Sequence, residues 1–126
     1  MRKTYTAQGA KPIGPYSQAV DAGEFVFLSG QIPVDPVTNA LVAGDVVAQA
    51  TQVFANITAI LSAAGLSPDH VVKATVFMTD LSEFKSMNAE YEQAFSSPYP
   101  ARTTVQVAAL PLGAKLEIEV IAKKTV

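Results

Sequence analysis

Arg102 lies in the run Tyr99-Pro-Ala-Arg-Thr-Thr-Val-Gln-Val107, and one loop later follows the alternating segment Lys115-Leu-Glu-Ile-Glu-Val-Ile-Ala122. With a period of two, Arg102, Thr104 and Gln106 point to one side of a strand while Thr103, Val105 and Val107 point to the other. Glu117 and Glu119 likewise oppose Leu116, Ile118 and Val120. The expectation is an arginine and a carboxylate on the polar side of a sheet whose other side is core. A guanidinium fork grips a carboxylate through two parallel hydrogen bonds, and a glutamate can move a proton beside it. That pair is the minimum equipment for chemistry on a small carboxylic acid. Antiparallel sheets also commonly wet one face, so the same alternation describes an ordinary solvated surface, and on these strands alone both readings stay open.

Other chemistries have little to build on. Cysteine is absent, which removes disulfides, thiolate metal sites and thiol nucleophiles, and there is one histidine, His70. His70 follows Pro68-Asp69 and reads as a surface turn residue. Ser29 has no histidine within any sequence-readable distance, so a nucleophilic role is not expected. Asp45, Asp69 and Asp80 are explained as helix caps. No glycine-rich phosphate loop is present.

The elements must now position Arg102 and Glu117. The 126 residues, 49% of them hydrophobic, suffice for a single domain that buries about two thirds of the surface its unfolded form exposes. The formal net charge is −2 and charged residues make up 16%, with Lys and Arg scattered, so nucleic acid is not the expected partner. Met1-Arg-Lys-Thr-Tyr5 carries the charges of an export signal without the apolar run that should follow, and the apolar runs look too short to span a bilayer. With the mean hydropathy of +0.25 and the lack of cysteine, the expectation is a cytoplasmic protein with no membrane partner.

Residues 3–6 read as an edge strand, 9–15 as a proline- and glycine-set loop, and 16–21 with 24–29 as a hairpin around Ala22-Gly23. Residues 33–39 are a turn-rich excursion set by proline. A helix runs from its cap at Asp45 to Gly65, because Val46, Ala50, Val53, Phe54, Ile57, Ile60, Leu61 and Ala64 fall on one stripe. After a turn at Ser67-Pro68-Asp69, residues 71–78 alternate as a strand. A second helix starts at Asp80, whose spacing to Glu83 suggests a capping box, and buries Leu81, Phe84, Met87, Tyr91 and Phe95. Asn88 lies beside that stripe, facing either a cleft or water. The order β-β-β-α-β-α-β-β implies an α+β two-layer sandwich, with two helices on one face of a mostly antiparallel sheet.

If the last two strands form a hairpin closed near residues 109–114, Gln106 falls opposite Glu117 and Thr104 opposite Glu119. Arg102 is then roughly 13 Å from the level of Glu117 at ~3.3 Å per residue. One subunit would struggle to join them. Symmetric association over the bare sheet face would cover apolar residues such as Ile121 and bring groups from neighbouring subunits around one cleft.

Gly14-Pro-Tyr-Ser-Gln-Ala19, Ser29-Gly-Gln-Ile-Pro33, Val71-Val-Lys-Ala-Thr-Val-Phe77, Asn88-Ala-Glu-Tyr91, Pro100-Ala-Arg102 and Glu117-Ile-Glu119 resemble, in order and spacing, the RidA (YjgF) family of reactive-intermediate deaminases. The resemblance runs from about Gly14 to Ala122. It implies a chorismate-mutase-like fold assembled as a homotrimer with clefts between subunits. It also implies hydrolysis, without a cofactor, of small enamine and imine carboxylates such as 2-aminoacrylate to 2-keto acids and ammonia.

Carried over by position, the family's substrate-carboxylate arginine falls on Arg102 and its water-activating carboxylate on Glu117. Tyr16, Ser29, the backbone of Gly30 and Asn88 fall on its substrate cleft. Tyr16 equally suits plain interface packing, and Asn88 a helix-surface amide. Many relatives carry cysteine two residues after the arginine, where this chain has Thr104, so thiol chemistry is removed while the hydrolytic pair stays. The resemblance leaves two other classes open: a ligand-binding or chaperone-like trimer, and a ribonuclease or translation inhibitor. The lack of a basic stripe and of a paired acid-base histidine argues against the latter.

Overall fold

The computed structural model describes residues 1–7 and 12–125. Gly9 to Lys11, part of the expected 9–15 loop, lie outside the described residues.

The N-terminal third is a meander whose turns are dictated locally. Strand β1 (Lys3–Tyr5) pairs antiparallel with β2 (Ala19–Asp21), which pairs antiparallel with β3 (Phe25–Leu28). The β2–β3 hairpin turns around Ala22-Gly23, as its residue types require. Asp21 ties the chain ends together: its Oδ2 accepts from the Tyr5 hydroxyl at 2.7 Å and from Lys124 Nζ at 2.7 Å. The Lys124 ammonium, followed by the Gly23 N–H, holds the Asp21 carboxyl well below the usual carboxylate range. Two short strands, β4 (Val34–Asp35) and β5 (Ala40–Leu41), pair beneath the excursion read from its prolines.

Helix α1 (Val46–Ala63) begins where Asp45 Oδ1 accepts the Ala48 N–H at 3.0 Å. Its 18 residues, with mean hydropathy 1.4, have the length and composition of a membrane span. Here the apolar stripe is spent on the sheet instead: Val46, Ala50, Val53, Ile57, Ile60 and Leu61 are buried in the core. After a 3₁₀ turn at Pro68–His70 comes β6 (Val71–Met78), followed by a 3₁₀ turn at Leu81–Glu83 and α2 (Phe84–Ala94). The expected capping box at Asp80 forms only in part, since Oδ1 accepts from Ser82 N–H at 2.9 Å. Leu81, expected inside, is exposed on that turn, while Met87, Tyr91 and Phe95 are buried. Phe54 of α1 meets Tyr91 and Phe95 edge-on, joining the two helices.

The chain ends with β7 (Ala101–Gln106) and β8 (Leu116–Lys123), and here the hairpin expectation is corrected. The six-stranded sheet has the order β1-β2-β3-β8-β6-β7, so β6 separates the last two strands. Strand β7 pairs parallel with β6, and β8 pairs antiparallel with both β3 and β6. The physical reason is α2. A helix between two strands returns the chain to the same end of the sheet, which makes β6-α2-β7 a parallel crossover unit. Strand β8, alternately fully buried, then fills the central slot between β3 and β6. Glu117 therefore stands opposite Phe77, and Glu119 opposite Thr75.

The faces follow from register. Val76 pairs with Ile118 on one side and with Thr104 on the other, placing Thr104, Arg102 and Gln106 on the face covered by the helices. Phe77 pairs with Glu117 and with Val105, so Glu117 belongs to the opposite, uncovered face. The polar sides of the two strands are thus opposite sides of the sheet, because parallel pairing through β6 sets β7's phase independently of β8's.

Candidate active site

Glu117 lies at the wall of a cleft of about 690 Å³ shared with Tyr16, Ser29, Gly30, Gln31, Ile32 and the Pro111-Leu112 turn. The backbone that shapes this wall continues from β3. Gln31 exchanges two hydrogen bonds with Ile118, N–H to O at 2.8 Å and the return bond at 3.1 Å. This lays Gly30 directly against the glutamate: a Cβ added at Gly30 would overlap the carboxylate, with Glu117 Cδ 2.9 Å away. Any side chain at Gly30 would therefore displace the Glu117 carboxylate from this position. Burial pushes the Glu117 carboxyl pKa up, and the charge of Glu119 on the same face pushes it further.

Ser29 and Tyr16 line the cleft without reactive partners. The Ser29 hydroxyl donates to the Ser17 carbonyl at 2.6 Å, which ties the β3 exit to the β2 entry and leaves the oxygen unactivated. Tyr16 is half exposed, and its hydroxyl accepts the Ile13 N–H at 3.4 Å. Gln18, buried beside them, accepts the Ala7 N–H at 2.8 Å.

Arg102 and Asn88 form a second cluster. Arg102 Nη1 donates to Asn88 Oδ1 at 2.7 Å, and its Cζ sits 4.6 Å from the Tyr91 ring centroid and 5.4 Å from that of Phe84. Among the described residues no carboxylate lies within ion-pair distance of it. The guanidinium is therefore oriented by an amide and two rings, with its other donors free for an anion. Near it, the Tyr91 hydroxyl and Thr104 Oγ1 are buried without hydrogen-bond partners among the described residues, and burial raises the Tyr91 pKa.

The structure thus unites Glu117, Gly30, Ser29 and Tyr16 in one cleft and Arg102 with Asn88 elsewhere. Within one protomer Arg102 and Glu117 are two strands apart and three register positions apart, roughly 10 Å in each direction, on opposite faces of the sheet. In the sequence Phe84 and Tyr91 read as plain core. Their positions four before and three after Asn88 were the available signal that they share its face. Leu112 belongs to the cleft wall, and nothing in its loop sequence signals that. Among the described residues no group of three or more metal-ligating side chains converges.

The profile of the family described as Endoribonuclease L-PSP matches residues 6–124. The chain is 55% identical over 120 residues to Protein DfrA of Myxococcus xanthus, covering 94% of this chain and 92% of that one. It is 49% identical over 117 residues to the 2-iminobutanoate/2-iminopropanoate deaminase of Capra hircus, covering 93% and 85%. The crystal structure of RidA from the Antarctic bacterium Psychrobacter sp. PAMC 21119 superposes with a TM-score of 0.92 at 50% identity, covering 97% and 99%.

Proposed function

The chain belongs to the endoribonuclease L-PSP family, which includes RidA (YjgF), and from that premise we propose that it is a hydrolytic deaminase of reactive 2-imine acids. Its substrates are 2-enamine and 2-imine acids such as 2-aminoacrylate and 2-iminopropanoate, and its products are 2-keto acids and ammonia. The observation that carries this reading is Glu117, a carboxylate with raised proton affinity in a largely apolar cleft and free of any ion pair among the described residues. The name of the goat relative supports the substrate class.

The chemistry needs two groups. Arg102, braced by Asn88, holds the substrate carboxylate in two parallel hydrogen bonds and so fixes the plane of the conjugated C=N group. Glu117 takes a proton from water as its oxygen bonds to the imine carbon and returns it to the nitrogen, giving the carbinolamine; it then relays the hydroxyl proton to that same nitrogen, so that the C–N bond breaks, ammonia leaves and the carbonyl forms. Ser29, Tyr16 and the Gly30 backbone line the substrate. The imine hydrolyses readily by itself, so proton transfer worth ~3 to 5 kcal/mol is enough, and no cofactor takes part.

One protomer holds the two groups on opposite sheet faces, so the working site needs a second copy. We place it between subunits of a cytoplasmic homotrimer of single-domain, chorismate-mutase-like protomers, each lending Arg102 to a neighbour's Glu117. This is supported by β7, a free sheet edge, and by the uncovered face carrying Phe25, Phe27 and Val105 exposed to solvent.

RNA cleavage, suggested by the family's description, finds less support. The net charge is −2, and the one histidine, His70, accepts the Ser67 N–H in a turn and is not among the residues lining the cleft. A purely ligand-binding trimer would need the cleft but not a base.

The test supplies imines generated in place by an amino-acid oxidase and measures keto acid formation above the spontaneous rate. Wild type should accelerate it, Glu117→Gln should lose roughly 100-fold or more, and binding of pyruvate should persist. Full turnover in the variant would remove Glu117 as the base and favour the binding-module reading.

A further inference from the structure

Leu112 combines three properties that rarely occur together. Its backbone is left-handed, at φ 58° and ψ 17°; its side chain is 65% exposed; and it lines the same cleft as Glu117, five residues ahead of it. A leucine in this conformation is strained, and glycine or asparagine would adopt it more easily. The turn nonetheless imposes it: Gly113 N–H bonds to Leu110 O at 3.2 Å, Ala114 N–H bonds to Pro111 O at 3.1 Å, and Gly113 follows at φ 74°. Core packing does not account for a leucine there, since most of its surface faces solvent. Strain kept without a packing gain inside the protomer, at a residue lining the cleft, points to a binding role.

The cleft supplies the ligand's dimensions. At about 690 Å³ it is of the class that holds drug-sized ligands, several times the bulk of a three-carbon imine acid. Beside amides such as those of Asn39 and Asn56, the cleft is lined by the apolar Ile13, Ile32, Val34, Pro111 and Leu112. An imine carbon at Glu117 leaves its side chain to run along these groups, where aliphatic surface is taken out of water.

We propose that Leu112 is a specificity-determining residue that favours 2-imine acids bearing a branched aliphatic side chain over the three-carbon imine. The proposal rests on the deaminase reading above. Leu112 contacts the far end of the side chain, so it acts on substrate binding more than on the proton transfers at Glu117.

Leu112→Asn tests it, because asparagine accepts the left-handed backbone and keeps the number and branching of side-chain heavy atoms while replacing the apolar surface with an amide. The rates compared are kcat/KM for the imines formed from leucine and from alanine, and the affinities compared are those for 4-methyl-2-oxopentanoate and pyruvate by calorimetry. The leucine-to-alanine ratio of kcat/KM should fall about tenfold, mostly through KM, and the keto-acid affinity ratio should fall with it. Leu112→Gly, which also fits the turn, should reproduce the shift and serves if the asparagine variant folds poorly. An unchanged ratio with both imines still hydrolysed overturns the specificity role and leaves the deaminase standing. If wild type hydrolyses neither imine, the deaminase reading fails, and the keto-acid affinity ratio alone then supports or refutes the apolar contact.

Discussion

At the scale of single residues, the reading turns on whether Arg102 is a fork or merely a charge. It is held by Asn88 Oδ1 and two ring faces, a setting that suits a planar guanidinium and that an ammonium would fill poorly. Arg102→Lys should leave a folded protein and cost roughly 2 to 3 kcal/mol of transition-state stabilisation for carboxylate-bearing imines, seen in kcat/KM. Imines without a carboxylate should show little further loss; an equal loss on both would refute the clamp. Glu117 adds a pH signature. Its pKa is raised, so the basic form accumulates only above that raised value, and kcat/KM should climb with pH on the acid side and then level. Linkage has the matching sign: a carboxyl whose pKa rises on folding lowers stability as pH climbs from its ordinary value through the raised one. Glu117→Gln should therefore be at least as thermally stable as wild type at neutral pH while losing activity.

Among the elements, α2 decides most about the site. It makes β6 and β7 parallel, and it presents Phe84, Asn88 and Tyr91 to Arg102 from one helical face. The Tyr91 hydroxyl is buried beside this cluster without a partner among the described residues. An unmet buried hydroxyl is costly, so Tyr91→Phe should raise stability by about 1 kcal/mol in denaturant unfolding and keep the ring under Arg102. A clear loss of stability would instead mean that the hydroxyl finds a hydrogen-bond partner in the assembled protein.

For the whole molecule, the uncovered sheet face is the dominant feature. Phe25, Phe27 and Val105 are exposed there, with Phe77 and Ile121 half-buried beside them, around Lys73, Thr75 and Glu119. Light scattering coupled to size exclusion should give three times the protomer mass at micromolar concentration. A monomer that still turns over imines would remove the shared cleft, since one chain cannot join Arg102 to Glu117 across its own sheet.

Local rules were enough for both helices and six of the eight strands, while the short β4–β5 pair read only as a proline-set turn. Asp45 caps α1, the 3.6-residue stripes bury Ile57 and Met87, and the alternation of residues 71–78 and 116–123 makes strands with one buried face, all set by neighbours within a few residues. The ordered motifs around Tyr16, Ser29, Gly30, Asn88, Arg102 and Glu117 were likewise visible in the chain. Strand order was not. Whether β7 pairs with β8 or with β6 depends on where α2 returns the chain, a long-range choice that alternation cannot report. That choice set the phase of Arg102 against Glu117 and put them on opposite faces. The raised pKa of Glu117, the fit of Gly30 against it and the exposure of Leu112 over the cleft also belong to tertiary structure, because burial and close approach arise only when distant segments pack.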